Sequence, residues 1–273
     1  WDDGRTDQST DAAFGDFDGD GDLDVVFVNS GQADRVYLQA AAGAYVEAWN
    51  SADAGDSQAV AVGDVDGDGD IDLVIACGSD QPNRVLLNTP DLSGDPAFVE
   101  LTLPSVEAEV RRDVVLADWD GDGDLDAVFA NHSSASQPAG AVNRVWLWDG
   151  TNYDSALDDG NVQPSTGVAL GDLNDDGRPD LASANDVVLG SGENFVHRND
   201  PGGLVQVWVS PLSASSEAVA WADWDGDGDV DLSVANAGSD PATRLWLNSD
   251  GVMPLDEFAP AAWTSPEALA STS

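Results

Sequence analysis

Five nine-residue segments of this 273-residue chain carry oxygen-bearing side chains at alternate positions. They read DFDGDGDLD from Asp16, DVDGDGDID from Asp64, DWDGDGDLD from Asp118, DLNDDGRPD from Asp172 and DWDGDGDVD from Asp223. A hard cation needs several oxygens converging at about 2.3–2.6 Å. Side chains at positions 1, 3 and 5, a main-chain carbonyl at position 7 and a closing carboxylate supply them around a glycine turn at position 6. The candidate ligands are therefore Asp16, Asp18, Asp20, Asp22 and Asp24 in the first loop and Asp64, Asp66, Asp68, Asp70 and Asp72 in the second. Asp118, Asp120, Asp122, Asp124 and Asp126 follow in the third, and Asp223, Asp225, Asp227, Asp229 and Asp231 in the fifth. In the fourth, Asp172, Asn174, Asp176, Arg178 and Asp180 keep the register: Asn174 retains an oxygen, Arg178 stands where only a carbonyl is wanted, and Gly177 is present. The pattern predicts five Ca²⁺ sites, one per loop.

The flanking residues decide what kind of loop this is. An EF-hand carries a bidentate Glu at position 12 between helices, but that position is Phe27, Ile75, Phe129, Ser183 or Val234 here. Each loop is instead followed by β-branched and aromatic residues, such as Val25-Val26-Phe27-Val28, which fit a buried strand. An apolar strand also precedes each loop, and a third strand opens on Arg35, Arg84, Arg144 or Arg244 in four of the repeats. A fourth closes the unit, as in Tyr45 to Trp49. Loop starts are 48, 54, 54 and 51 residues apart. Four short antiparallel strands at that period describe a propeller blade. The predicted fold is all-β: a single β-propeller domain over residues 1–273 with blades near 10–50, 58–103, 112–155, 166–210 and 217–263. Five blades are expected; the alternative is part of a six- to eight-bladed ring, because residues 263–273 repeat the register of residues 1–11.

These loops and strands resemble the FG-GAP or VCBS repeat family, whose calcium-loop blades also occur in integrin α subunits and in bacterial surface proteins. The resemblance covers about residues 10–263. It implies a calcium-binding propeller, and says little about ligand, because such blades serve adhesion, lectin, lyase and scaffold roles.

Composition points outside the cell. The chain has 52 acidic residues against nine Arg and no Lys, a net charge of −43. The five loops hold 24 of the acids, and five divalent ions would cancel only ten charges, so a solvated acidic surface is expected as well. Nothing resembles the basic groove that nucleic acid requires, and no apolar run approaches the 18 or so residues of a membrane span. A secreted or cell-surface location follows. The lone Cys77 can form no internal disulfide and reads as a small buried apolar residue.

Most other conspicuous residues read as structural. Trp119 and Trp224 occupy loop position 2, which is apolar in every copy, and are expected in the core. Trp148 aligns with Gln39, Asn88 and Asn248 and is the exception, with sugar stacking as the alternative to a core role. The four equivalent arginines predict a repeated ion pair. His132 and His197 read as ordinary surface residues; His132 with Arg111 or Arg112 is the nearest approach to a catalytic base and its charge partner. Connection lengths vary most at the end opposite the calcium turns, from Ser30–Arg35 to Asn131–Asn143, and length variation on a rigid scaffold is how loops acquire function. A ligand is therefore expected among Gln81, His132, Ser133, Gln137, Asn185 and Asp240. The functional reading is an extracellular, calcium-stabilised binding or adhesion module for a glycan or a protein. A polysaccharide lyase domain and a structural blade array are the alternatives.

Overall fold

A computed structural model of the chain describes residues 4–40, 43–78, 81–90, 94–103, 110–133, 140–187, 191–211, 213–237, 243–248 and 259–264. Among them there is no α-helix, and so none long and apolar enough to cross a membrane. Twenty strands form five four-stranded antiparallel sheets, each in sequence order. The first joins β1 (Ser9–Gly15), β2 (Asp24–Asn29), β3 (Arg35–Ala40) and β4 (Ala44–Asn50). The second joins β5 (Ser57–Gly63), β6 (Asp72–Cys77), β7 (Arg84–Asn88) and β8 (Phe98–Thr102). The third joins β9 (Val110–Ala117), β10 (Asp126–His132), β11 (Arg144–Trp148) and β12 (Tyr153–Asp158). The fourth joins β13 (Ser165–Gly171), β14 (Asp180–Asn185), β15 (Phe195–Asp200) and β16 (Gly203–Val209). The fifth joins β17 (Ser215–Ala222), β18 (Asp231–Ala237), β19 (Arg244–Leu247) and β20 (Ala259–Thr264). The expected all-β blades are therefore present, one per acidic loop, and each loop is the turn between the first two strands of its sheet.

The chain divides into two compact units, residues 1–118, 122–129 and 145–156 in one and residues 119–121, 130–144 and 157–273 in the other. In the first unit, one core cluster joins Phe17, Val26 and Val36 to Leu73 and Ile75, and another joins Val65 and Val85 to Phe129 and Trp146. In the second unit Leu173 and Trp208 pack with Leu232 and Trp246. Each cluster draws on two successive sheets, which explains the apolar runs: β6 is buried at every position because Val74 and Ala76 enter one cluster and Leu73, Ile75 and Cys77 the other. Polar staples reinforce the stacking. Thr10 Oγ1 donates to the Ser57 carbonyl of the next sheet at 2.7 Å, and Thr166 does the same to Ser216 at 2.7 Å. Gly63, just before its loop, sits close under a neighbouring side chain: a Cβ there would lie 2.7 Å from Leu125 Cδ1, so that leucine would have to shift.

The arginine register behaves as expected where its partners are described. Arg35 pairs with Asp7 and Glu47, Arg84 with Asp34 and Glu100, and Arg144 with Asp158. Cys77 is buried and free, and burial pushes its thiol up to about 12. Trp119 is buried, as is Trp148, whose ring meets Tyr153 edge-on at 5.0 Å. A stacking role for Trp148 is thus ruled out by its burial against another ring. Trp224 differs from expectation: it is 65% exposed. At the first, second and fourth loops the position-2 side chain lies under the sheet that follows in sequence. Among the described residues no sheet follows the fifth one in sequence.

Candidate metal centres

A shared hydrogen-bond scheme shapes the loops. The position-1 Asp accepts the N–H of the position-6 glycine in all five, at 3.0 Å for Gly21, 3.0 Å for Gly69, 3.1 Å for Gly123, 2.8 Å for Gly177 and 3.2 Å for Gly228. The position-9 Asp is buried and pins the turn to its sheet. Its Oδ1 accepts the N–H of a residue in or directly after the third strand, Gln39, Asn88, Trp148, Asn199 or Asn248, at 2.7–2.8 Å. Its Oδ2 accepts the position-2 N–H at Phe17, Val65, Leu173 and Trp224. Glycines at position 6 have φ between 85° and 104°, the left-handed region that a Cβ disfavours.

This scheme brings acids together. Asp16, Asp18 and Asp24 each offer an oxygen within 4.8 Å of the others, as do Asp64, Asp66 and Asp72, Asp118, Asp120 and Asp122, and Asp223, Asp225 and Asp231. Two like charges 4 Å apart repel by about 1 kcal/mol in water and about 4 kcal/mol near a protein surface. A trio therefore opposes its own turn unless a cation sits within it. Burial, then repulsion from Asp66 and Asp68, raises Asp72 to about 6, and burial is likewise the main cause for Asp18 and Asp66. Asp16 Oδ1 and Asp64 Oδ1 are buried and accept no hydrogen bond. Orphaned anionic oxygens facing other carboxylates are a donor set suited to a hard divalent ion. The residues fit calcium at these four loops. Side chains at position 7, Asp22, Asp70, Asp124 and Asp229, belong to none of the trios.

With loops and blades in place, the comparison with known proteins is direct. The FG-GAP-like repeat matches residues 16–75, 64–129, 118–183 and 172–234, each match running from one acidic loop through the next. The chain belongs to the FG-GAP-like repeat family. Among solved structures, the V. cholerae biofilm matrix protein Bap1 is similar in fold, with a TM-score of 0.57 and 18% sequence identity over 88% of this chain. The chain spans 38% of the Bap1 chain. No curated protein shows significant similarity to it.

The expected ligand residues are not gathered into one site. Asn185 is fully buried: its Nδ2 donates to the Glu193 carbonyl at 2.7 Å, and its oxygen accepts the Ser165 hydroxyl. The same bonds recur at Asn29, with Ala33 and Ser9. Asn185 is thus the cap of a second strand, and a ligand cannot reach it. Gln81 is exposed, but its Oε1 accepts the Asp56 N–H at 2.8 Å. His132 lies with Nδ1 3.0 Å from the Ser133 hydroxyl and Nε2 3.9 Å from Asp186. Gln137 and Asp240 lie outside the described residues. Arg111 is buried, its guanidinium 5.9 Å from the centre of the Phe129 ring, and so cannot meet a substrate carboxylate in solvent. His197 is a core residue and not a surface one. Its Nε2 is 2.8 Å from Asn161 Nδ2, and burial lowers its pKa to about 4. The described cleft, of about 350 Å³ and lined by Asp120, Leu157, Arg178, Asn199 and Asp200, opens at the turn end of the second unit.

Sequence reasoning missed two polar features. Asn88, Asn199 and Asn248, at or next to the end of the third strand of their sheets, donate to the position-2 carbonyls of Phe17, Trp119 and Leu173 in the preceding repeat. Their common register with Trp148 was the available signal. Asp159 had none, because its environment is built by tertiary contacts. Burial pushes it up to about 7, against the Asn161 N–H at 3.0 Å and the Asn143 side chain and N–H at 2.8 and 3.2 Å. A carboxyl whose folded pKa is raised favours folding below its unfolded value and loses that contribution as pH rises through its folded one. The contribution of Asp159 to stability is therefore expected to be lost between about pH 4 and about pH 7, so Asp159→Asn should shift the slope of melting temperature against pH at fixed calcium upward over that window. An unchanged slope in thermal melts of the variant would refute the assignment.

Proposed function

We propose that this chain is a calcium-stabilised extracellular adhesion module that binds a glycan or a protein. The observation that carries it is the fourfold recurrence of carboxylate trios, with buried oxygens of Asp16 and Asp64 left without a donor. Sites of this type in extracellular modules hold calcium at about 10⁻⁴–10⁻³ M, a concentration met outside the cell and not in cytosol. The similarity in fold to a protein named for the biofilm matrix agrees with that location. The burial of Arg111 speaks against a lyase built on His132 with that arginine, since it removes one of the two possible charge partners from solvent. The cleft beside Asp120 and Arg178 mixes charged and amide groups with the apolar Trp119, Leu157 and Pro201, a lining that suits a ligand with both polar and apolar faces. The test is binding of the chain to arrays of polysaccharides and of matrix proteins, with calcium and with chelator. Calcium-dependent retention on one class is expected. A calcium-loaded, folded chain retained by neither class would overturn the adhesion reading.

A further inference from the structure

The fourth loop departs from the other four in ways that concern its charge. Asn174 replaces the position-3 carboxylate, Asp175 replaces the position-4 glycine, and Arg178 replaces the position-7 Asp. We propose that this loop is closed by its own side chains and takes no calcium, Arg178 supplying the positive charge that a metal supplies elsewhere. This rests on the calcium reading of the other loops.

Three observations carry it. The first is at position 1. Asp16 Oδ1 and Asp64 Oδ1 are orphaned, whereas both oxygens of Asp172 accept main-chain N–H groups, Oδ1 from Asp176 at 3.0 Å and Oδ2 from Gly177 at 2.8 Å; Asp223 is satisfied in the same way by Gly226 and Gly228, so position 1 separates the fourth loop from the first two only. The second is at position 5. Asp176 Oδ2 receives the Arg178 guanidinium at 3.0 Å and the Asn174 amide at 3.1 Å, while Oδ1 accepts the Arg178 N–H at 3.0 Å. The amide that would offer a metal its oxygen thus turns its nitrogen to a carboxylate, and the cation already lies beside the anion. The third is the absence of a trio: among the described residues no three acids of this loop meet as they do in the other four.

The backbone keeps the common turn nonetheless. Asp175 has φ 56°, the one non-glycine residue with positive φ among those described, where the other loops have glycine. Asp tolerates that region at modest cost because its short side chain can bond locally. The turn is therefore preorganised without metal, and the fourth sheet is expected to keep its turn in chelator while the other four loosen.

Counting bound calcium and following amide exchange would test this together. Wild-type protein should bind four equivalents, Asp64→Ala should lose one, and Asp172→Ala should lose none. The Gly177 N–H should stay protected in chelator, while those of Gly21 and Gly69 lose protection at least tenfold. The paired change Asn174→Asp with Arg178→Asp should add one equivalent and make Gly177 protection depend on calcium. Loss of an equivalent in Asp172→Ala, or Gly177 protection in wild type that depends on calcium, would overturn the proposal. If wild type binds no calcium at all, the calcium reading fails on its own terms, and Gly177 protection in plain buffer still decides whether this loop closes itself.

Discussion

Removing calcium is expected to lower the melting temperature by more than about 10 °C, and restoring it to recover the loss. A ligand bound only by the folded state stabilises it by RT ln(1 + [L]/Kd), which is about 2.7 kcal/mol at a hundredfold excess over Kd. With Kd of about 10⁻⁴–10⁻³ M, 10 mM calcium stabilises each occupied loop by about 1.4–2.7 kcal/mol. Four loops with carboxylate trios then sum to about 6–11 kcal/mol. At about 2–4 °C per kcal/mol for a domain of this size, the shift exceeds what any one ion pair of the chain contributes. The physical origin is the trio itself, since ordering Asp64, Asp66 and Asp72 without a cation sets three anions within 4.8 Å of one another. Scanning calorimetry in calcium and in excess chelator decides the matter, and coincident curves would remove calcium from the account of stability.

Replacing Arg84 by Ala is expected to destabilise the chain by about 3–5 kcal/mol, although the equivalent change at Arg144 should cost about 1 kcal/mol or less. Both open the third strand of a sheet and both pair with carboxylates, so register alone predicts equal effects. Burial separates them. Arg84 is 8% exposed and donates at 3.0 Å to Asp34, which is 1% exposed. Asp34 also accepts the Asn29 N–H and the Ser57 hydroxyl, so it stays in place when Arg84 is lost. Burial already raises its pKa, and without the guanidinium an unpaired anion is left in the interior. Arg144 instead meets Asp158, half exposed, where water screens the pair. Denaturant titrations in saturating calcium would measure both, with Arg84→Ala losing about 6–20 °C in melting temperature. Equal losses in the two variants would show that the Asp34 carboxylate is not isolated as described. Arg84→Met combined with Asp34→Asn should recover part of the loss, because it removes the stranded charge as well as its partner.

The repeating architecture was legible because each layer of it leaves a short-range mark. Alternating acids with glycine at position 6 specify a tight turn, and β-branched runs such as Leu73-Val74-Ile75 specify strands covered on both faces. The period of the loops specifies the blade. Even the ion pairs of Arg35, Arg84 and Arg144 were readable, since a register repeated within a blade repeats its surroundings. The roles of individual residues were less so. Asn185 reads as a polar turn residue, and only the strand pairing shows that Ser165 and Glu193 enclose it. Trp119 and Trp224 share a motif position but not an environment, because the surface that buries one comes from another part of the chain. The same holds for His197 and Asp159, whose pKa values move in opposite directions through one cause, loss of water around the charged form.

The sequence by itself thus determined the blades, their acidic turns and the family, all of which depend on residue types at fixed local spacing. Tertiary structure alone decided which carboxylates meet, which arginine is buried with its partner, and that Arg178 turns onto Asp176. Those outcomes depend on distances between side chains and on exclusion of water, and neither is encoded in spacing along the chain.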